Sequence, residues 1–389
     1  MKFTEQASAS TDPLGGISRR YLADEHERVR ELATAADAGD HARAAIRETA
    51  RELVEAVRRN AVNEGGIDAF LQQYDLSSEE GVLLMCIAEA LLRIPDADTA
   101  DKLIADKITA ARWEDHLGAS DSLFVNASTW GLMLTGKLLT VDPQARRNPS
   151  SYVTRLAGRA GEPVVRAAMR QAMRIMGHQF VMGRNIDEAL LRSKTKDAAR
   201  FRYSFDMLGE AALTGADAER YFEAYRDAIG SIGKSSDAAD IAAAPSISVK
   251  LSALHPRYLY TQHRRVMQEL VPTLTELAVA AERAGIALTV DAEEADRLEL
   301  SLDVFAAVFA DRRLGNYHGL GLAVQAYQRR ATDVLQFVAE LAGRHGRRVP
   351  VRLVKGAYWD TEIKRAQEQG LEGYPVFTLK TNTDVSYLA

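Results

Sequence analysis

Ser246-Ile-Ser-Val-Lys250 and Ala287-Leu-Thr-Val-Asp291 are short apolar runs, each closed by a residue that can do chemistry. Gly319-Leu-Gly-Leu-Ala-Val-Gln325, Pro350-Val-Arg-Leu-Val-Lys355 and Pro375-Val-Phe-Thr-Leu-Lys380 repeat the form. Helical patterning fills the gaps, at residues 262–284, 295–310, 332–344 and 360–369. Upstream, Phe201-Arg-Tyr-Ser-Phe-Asp-Met-Leu208 alternates as a strand, with a helix expected at 216–229 and a small-residue loop at 230–244. Strands alternating with helices are the grammar of a parallel sheet covered by helices. In a (βα)8 barrel the C-terminal strand ends face the active site. The runs therefore predict a ring of Lys250, Asp291, Gln325 and Lys355 around one cavity. The expected class is α/β: a helical N-terminal arm and linker, then an incomplete (βα)8 TIM-like barrel of about six strands. Thr383-Asp384 reads as the start of a helix, so the chain is expected to be cut inside the sixth βα unit.

Around that barrel the chain divides into a polar, disordered leader (residues 1–17), a helical arm or dimerisation-type domain (18–150), a helical linker (151–200) and the barrel (201–389). Ser77-Ser78-Glu79-Glu80 has the form of a capping box and opens an apolar stretch that Pro95 ends. Residues 96–117 form a further helical segment, and 124–134 resembles an apolar segment packed on a core. A homo-oligomer fits such an arm.

Composition narrows the function classes. Of 389 residues, 47% are hydrophobic and 26% charged, with a net charge of −5, which supplies no basic field for nucleic acid or an anionic membrane. Residues 1–60 show no strand followed by two helices of a repressor module, so no nucleic-acid partner is expected. The single Cys86 excludes an internal disulfide and a thiolate metal cluster and fits a reducing, cytoplasmic location. No run approaches the ~18 apolar residues of a membrane span. The acidic run Asp291-Ala-Glu-Glu-Ala-Asp296 has no histidine beside it and reads as charge favouring a helix N-terminus, so no metal is expected. Neither a dinucleotide fingerprint nor a P-loop is present.

Val351-Arg-Leu-Val-Lys-Gly-Ala-Tyr-Trp359 is the densest site candidate. Alternation puts Arg352 and Val354 on one face, Leu353 and Lys355 on the other. Gly356 permits close approach by a ligand, and Tyr358 and Trp359 offer aromatic walls to a flat cofactor.

These motifs carry a resemblance. Tyr203-Ser-Phe-Asp-Met-Leu-Gly-Glu-Ala-Ala212, Ser248-Val-Lys-Leu-Ser-Ala-Leu-His-Pro-Arg-Tyr258, Thr289-Val-Asp-Ala-Glu-Glu-Ala-Asp-Arg-Leu298, Gly321-Leu-Ala-Val-Gln-Ala-Tyr327 and the 351–359 stretch resemble the proline dehydrogenase domain of bifunctional proline utilization A (PutA) proteins. The likeness extends upstream through Gly177-His-Gln-Phe-Val-Met-Gly183 and residues 124–135. It implies a distorted (βα)8 barrel that holds FAD and oxidises L-proline to 1-pyrroline-5-carboxylate. Electrons then pass to a membrane quinone at the inner face of the membrane. A separate aldehyde dehydrogenase module, absent from these residues, uses NAD to convert glutamate semialdehyde to glutamate.

Residue by residue, the resemblance implies that Lys250 helps hold the substrate carboxylate. Asp291 and Ala292 stand at substrate and flavin, Gln325 contacts the flavin, and Arg352 lies near its N5. Leu353 and Tyr358 wall the proline pocket. Val354, Lys355, Gly356, Ala357 and Trp359 lie along the FAD, and Thr378, Lys380 and Thr383 hold its phosphates and its ribityl or adenosine portion. Glu210 pairs with a gating arginine. The family's tandem-arginine carboxylate clamp has no counterpart in these residues, so the isolated chain is expected to bind FAD weakly and to be inactive. From the residues alone, a Schiff-base lysine aldolase and a helical interaction module are the alternatives.

Overall fold

The computed structural model describes residues 14–61, 181–195, 198–209 and 211–389. The helices expected from 77 to 117, the apolar segment at 124–134, most of the expected linker and Glu210 lie outside them. The chain divides into two units, Met1–Gly39 with Ser193–Ala389, and Asp40–Arg192.

In chain order the elements are α1 (Gly15–Arg19), α2 (Glu25–Ala36), α3 (Gly39–Ala61), α4 (Ile186–Ser193), β1 (Ser204–Asp206), α5 (Gly215–Ser235), β2 (Ser246–Val249), α6 (Leu251–Leu254), α7 (His263–Arg283) and β3 (Ala287–Val290). They continue as α8 (Leu298–Phe309), β4 (Leu320–Gln325), α9 (Ala331–His345), β5 (Val351–Val354), α10 (Trp359–Glu368) and α11 (Lys380–Leu388). The five strands form one parallel sheet in the order β1-β2-β3-β4-β5. Sequential strands lie side by side, the order of a (βα) barrel rather than of a doubly wound sheet.

Local chemistry accounts for the helix ends. Thr214 accepts the Asp217 N–H at 3.1 Å and Asp217 accepts the Thr214 N–H at 3.0 Å, a reciprocal cap that starts α5. Gly285 ends α7 at φ +68°, and the Ile286 N–H returns to the Ala281 carbonyl.

The strands are two-faced. Ile247, Val249, Leu288, Val290, Leu320, Leu322 and Val324 are buried, and α7, α9 and α5 pack on this side of the sheet. The alternate residues, Ser204, Asp206, Ser248 and Arg352, meet one another on the other face. Arg352 on β5 donates to Ser204 on β1 at 2.6 Å, although β1 and β5 are the two ends of the sheet. In a flat sheet those strands stand four spacings apart, roughly 19 Å, beyond the span of an arginine side chain. The sheet therefore curls into part of a barrel, with small and polar residues on its concave face.

Four expectations are corrected. Pro375-Val-Phe-Thr-Leu-Lys380 is not a sixth strand. Val376 makes one isolated antiparallel bridge to Gln328, and the Phe377 N–H donates to the Tyr327 carbonyl at 2.8 Å. The run is apolar because Val376 and Phe377 are wholly buried as a plug against the chain leaving β4. A short apolar run does not distinguish a plug from a strand. The loop expected from residue 230 begins later, because α5 continues through Gly230 and Gly233 to Ser235. Gly233 lets α5 approach α7's end: a Cβ there meets the Ala284 Cβ at 2.7 Å. The helical linker expected to reach residue 200 has its last described helix end at Ser193, and the Ala198 and Ala199 N–H groups donate to the Thr195 carbonyl. Residues 15–17 of the expected leader belong to α1, whose Ile17 is buried.

Candidate functional site

Six side chains converge on the concave face of the sheet, Lys250, Asp206 and Asp291 at or just past the C-terminal ends of β2, β1 and β3, and Ser204, Ser248 and Arg352 from within β1, β2 and β5. Lys250, the residue after β2, donates through Nζ to both Asp206 oxygens, at 3.1 and 3.2 Å, and to Asp291 Oδ2 at 3.0 Å. Arg352 Nη1 donates to Asp291 Oδ1 at 2.9 Å, and Nη2 to the hydroxyls of Ser204 and Ser248. Asp291 is thus shared between two cations and only 12% exposed, whereas Asp206 is 47% exposed. Burial opposes the charge on Lys250, but Asp291 and then Asp206 outweigh it and raise the ammonium above its ordinary value. Beneath the cluster, the Tyr225 hydroxyl accepts the Lys250 N–H at 3.3 Å and is itself pushed up to about 12 by burial. An ammonium held charged by two carboxylates is the wrong state for a Schiff-base nucleophile, so the geometry speaks against an aldolase. It suits the holding of a carboxylate ligand.

Gln325 locks the neighbouring loops: its Nε2 donates to the Glu293 carbonyl at 2.8 Å and its Oε1 accepts the Ala357 N–H at 3.1 Å. Ala292 follows Asp291 half-buried in the connecting loop. Val354 shares Arg352's face by alternation, which places Leu353 on the opposite face, away from the cluster. Tyr358 stands half-buried at the N-cap of α10. The close approach that Gly356 permits is made by the Tyr327 ring. Trp359 donates its indole N–H to the Phe377 carbonyl at 2.9 Å. Lys355 and Lys380 share Asp384, at 2.6 and 3.2 Å, on an exposed surface. Thr383 is buried.

Thr378 is engaged within the chain. Glu25, at the start of α2, accepts the Thr378 N–H at 2.9 Å, its hydroxyl at 3.1 Å, Asn382 Nδ2 at 2.7 Å and Arg329 Nη2 at 2.8 Å. Glu25→Ala leaves these four donors without their acceptor and is expected to lower stability by about 2–3 kcal/mol, read from the urea midpoint.

Asp206, Ser204, Ser248 and Glu25 were not anticipated. For Ser248 the signal was available, since counting back by two from Lys250 reaches it; Ser204 and Asp206 obey the same period on β1. No local signal marks Glu25, which lies 353 residues from Thr378. The acidic run divides. Glu293 is buried and accepts the Ser252 N–H at 3.0 Å, while Asp296 pairs with Arg365 at 2.6 Å. Facing them, buried Glu362 on α10 accepts the Ala295 N–H at 2.6 Å. Burial raises its pKa. A raised carboxylate contributes stability below its unfolded value and loses it as pH rises through the folded one. Glu362→Gln removes that loss, so its stability relative to the unsubstituted chain should rise from pH 4 to pH 8, measured by thermal unfolding across that range.

The curled parallel sheet, with charged groups gathered at its C-terminal strand ends, defines a (βα)-barrel enzyme class. The family model described as "Proline dehydrogenase" matches residues 189–389. A model for the "Proline utilization A proline dehydrogenase N-terminal domain" matches 16–58, and one for the "DNA-binding domain of Proline dehydrogenase" matches 66–180. The chain belongs to the proline dehydrogenase family. It is 47% identical over its full length to the bifunctional protein PutA of Salmonella typhimurium, of which it spans 30%. It is 51% identical over 96% of its length to that of Rhizobium meliloti, again spanning 30%. The chain thus spans about a third of the length of these curated relatives. A crystal structure of the Bradyrhizobium japonicum PutA mutant D779Y, 50% identical, covers 94% of this chain and is covered over 36% of its own length, with a TM-score of 0.67. The expected absence of a nucleic-acid partner rests on composition and residues 1–60, whereas the model whose description prints DNA binding matches a segment wholly outside the described residues.

Proposed function

We propose that this chain is the substrate- and flavin-holding portion of a proline dehydrogenase that oxidises L-proline to 1-pyrroline-5-carboxylate. The observation that carries the reading is the Lys250–Asp291–Arg352 cluster at the strand ends, in a chain of the proline dehydrogenase family. Lys250, kept cationic, attracts the proline carboxylate. Asp291 fixes both cations through its two oxygens, so neither swings away when the ligand arrives. Tyr358 and Trp359 flank the segment on which a flat ring would rest.

The donor set fits FAD in part. The exposed Lys355 and Lys380 suit its pyrophosphate, and Arg352, Val354 and Gly356 line the strand end beside them. Gln325 and Thr378 are occupied with bonds inside the chain and act by shaping the site. When bound, the flavin supplies the acceptor for the hydride from proline. We propose electron delivery to a membrane quinone and a later NAD-dependent step to glutamate for proteins of the relatives' full length, whose description "bifunctional" supports a second activity. Among the described residues no helix is long and apolar enough to cross a membrane, and a cytoplasmic protein touching the inner membrane peripherally accords with this reading.

The test is the absorption spectrum of the purified chain with added FAD, titrated with a cyclic carboxylate analogue of proline. A bound flavin band that shifts with the analogue is expected. Absence of any bound flavin overturns the cofactor-holding role of this chain. Anaerobic addition of proline then separates a self-sufficient catalyst from one that needs the rest of its relatives' length.

A further inference from the structure

The two carboxylates on Lys250 are unequal. Asp291 is 12% exposed and gives one oxygen to Arg352 and the other to Lys250, so its departure strands two cations. Asp206 is 47% exposed, and its side-chain hydrogen bonds among the described residues go to Lys250 alone. It sits at the end of β1, a three-residue edge strand, where its side chain can turn into water. Arg352 is held separately by Ser204 and Ser248. The formal charges of Lys250, Arg352, Asp206 and Asp291 sum to zero. A further carboxylate that approaches Lys250 competes for an ammonium already engaged by Asp206 and Asp291, and the more exposed of the two residents is the one that can yield.

We infer that Asp206 is an exchangeable counter-ion, which holds Lys250 until the carboxylate of a substrate replaces it. Asp206 thereby sets the site's selectivity. A ligand without a carboxylate has nothing to exchange, and a weak carboxylate competes poorly with a tethered one. The inference rests on the proline reading only for the identity of the natural ligand. It differs in sign from a positioning role: if Asp206 served to aim Lys250, its loss would weaken binding, whereas loss of a competitor strengthens it.

The experiment follows the side-chain ammonium resonance of Lys250 in the lysine-labelled 389-residue chain, identified by its loss in Lys250→Arg. The signal is titrated with proline, propionate and pyrrolidine. In Asp206→Asn, half-saturation by proline and propionate is expected at concentrations on the order of tenfold lower than in the unsubstituted chain, the size of one charge-assisted hydrogen bond. Asp206→Glu, which keeps the charge, should remain near the unsubstituted values, and circular dichroism checks that both variants are folded. Pyrrolidine should give no saturable shift. Unchanged or weaker carboxylate binding in Asp206→Asn overturns the inference, as does a Lys250 signal that no carboxylate moves. If propionate shows the tenfold gain and proline moves nothing, the counter-ion role stands and the proline reading fails.

Discussion

Asp291→Ala is expected to lower the stability of the chain by about 2–3 kcal/mol. Asp291 bridges Lys250 at 3.0 Å and Arg352 at 2.9 Å, from side chains only 16% and 35% exposed. Removing it leaves two like charges in a partly desolvated site. The loss falls below the ~3–5 kcal/mol of a fully buried pair because Lys250 keeps Asp206. Arg352 also keeps its two serine hydroxyls, and Asp291→Asn, which preserves one acceptor, should lose less. Urea unfolding supplies the stability difference. Combining Asp291→Ala with Arg352→Met should cost less than the sum of the two, because both break one contact. Strict additivity, or an unchanged midpoint in Asp291→Ala, would show that the bridge does not hold the two cations.

Gly356→Ala should be at least as damaging, by about 3 kcal/mol or more, without touching a charged group. Gly356 has φ +141°, a conformation closed to side chains, and a Cβ there lies 2.4 Å from two ring carbons of Tyr327. The ring has nowhere to retreat. Tyr327 is buried, its N–H donates to the Lys355 carbonyl at 2.7 Å, and its carbonyl accepts from Phe377 at 2.8 Å. The turn after β5, the plug at Val376–Phe377 and the end of β4 therefore loosen together, and Lys355 and Trp359 lose their places. Calorimetry of Gly356→Ala, Tyr327→Ala and the double variant tests this. The double variant should be markedly more stable than the sum of its parts predicts, since truncating the ring removes the clash though not the strain in φ. Equal stability of Gly356→Ala and the unsubstituted chain would mean that the turn is free to move.

The legible part of the site was the part written in strand grammar. Lys250, Asp291, Gln325 and Arg352 were readable because each ends or lies within an apolar run, and the period of two determines which neighbours share its face. The same period contained Ser248 and Asp206, which do the holding, but a serine or aspartate in a strand carries no mark that separates a site residue from a solvated one. Pro375-Val-Phe-Thr-Leu-Lys380 misled for a related reason. Its apolarity is real and comes from complete burial of Val376 and Phe377, yet burial as a plug and burial as a strand leave the same composition. Thr378 shows the limit of residue-by-residue transfer, because its hydroxyl and N–H are already engaged by Glu25.

By itself, then, the sequence determined the succession of parallel strands and helices, their approximate limits and the residues at their C-terminal ends, since these depend on periodicity and on caps such as Thr214–Asp217 that act within a few residues. The tertiary structure alone decided how far the sheet curls, which carboxylate is shared and which is exposed, and what closes over the end of β4. Those outcomes depend on contacts such as Ser204–Arg352 and Glu25–Thr378, separated by 148 and 353 residues, whose energies arise only when the chain has already brought distant segments together.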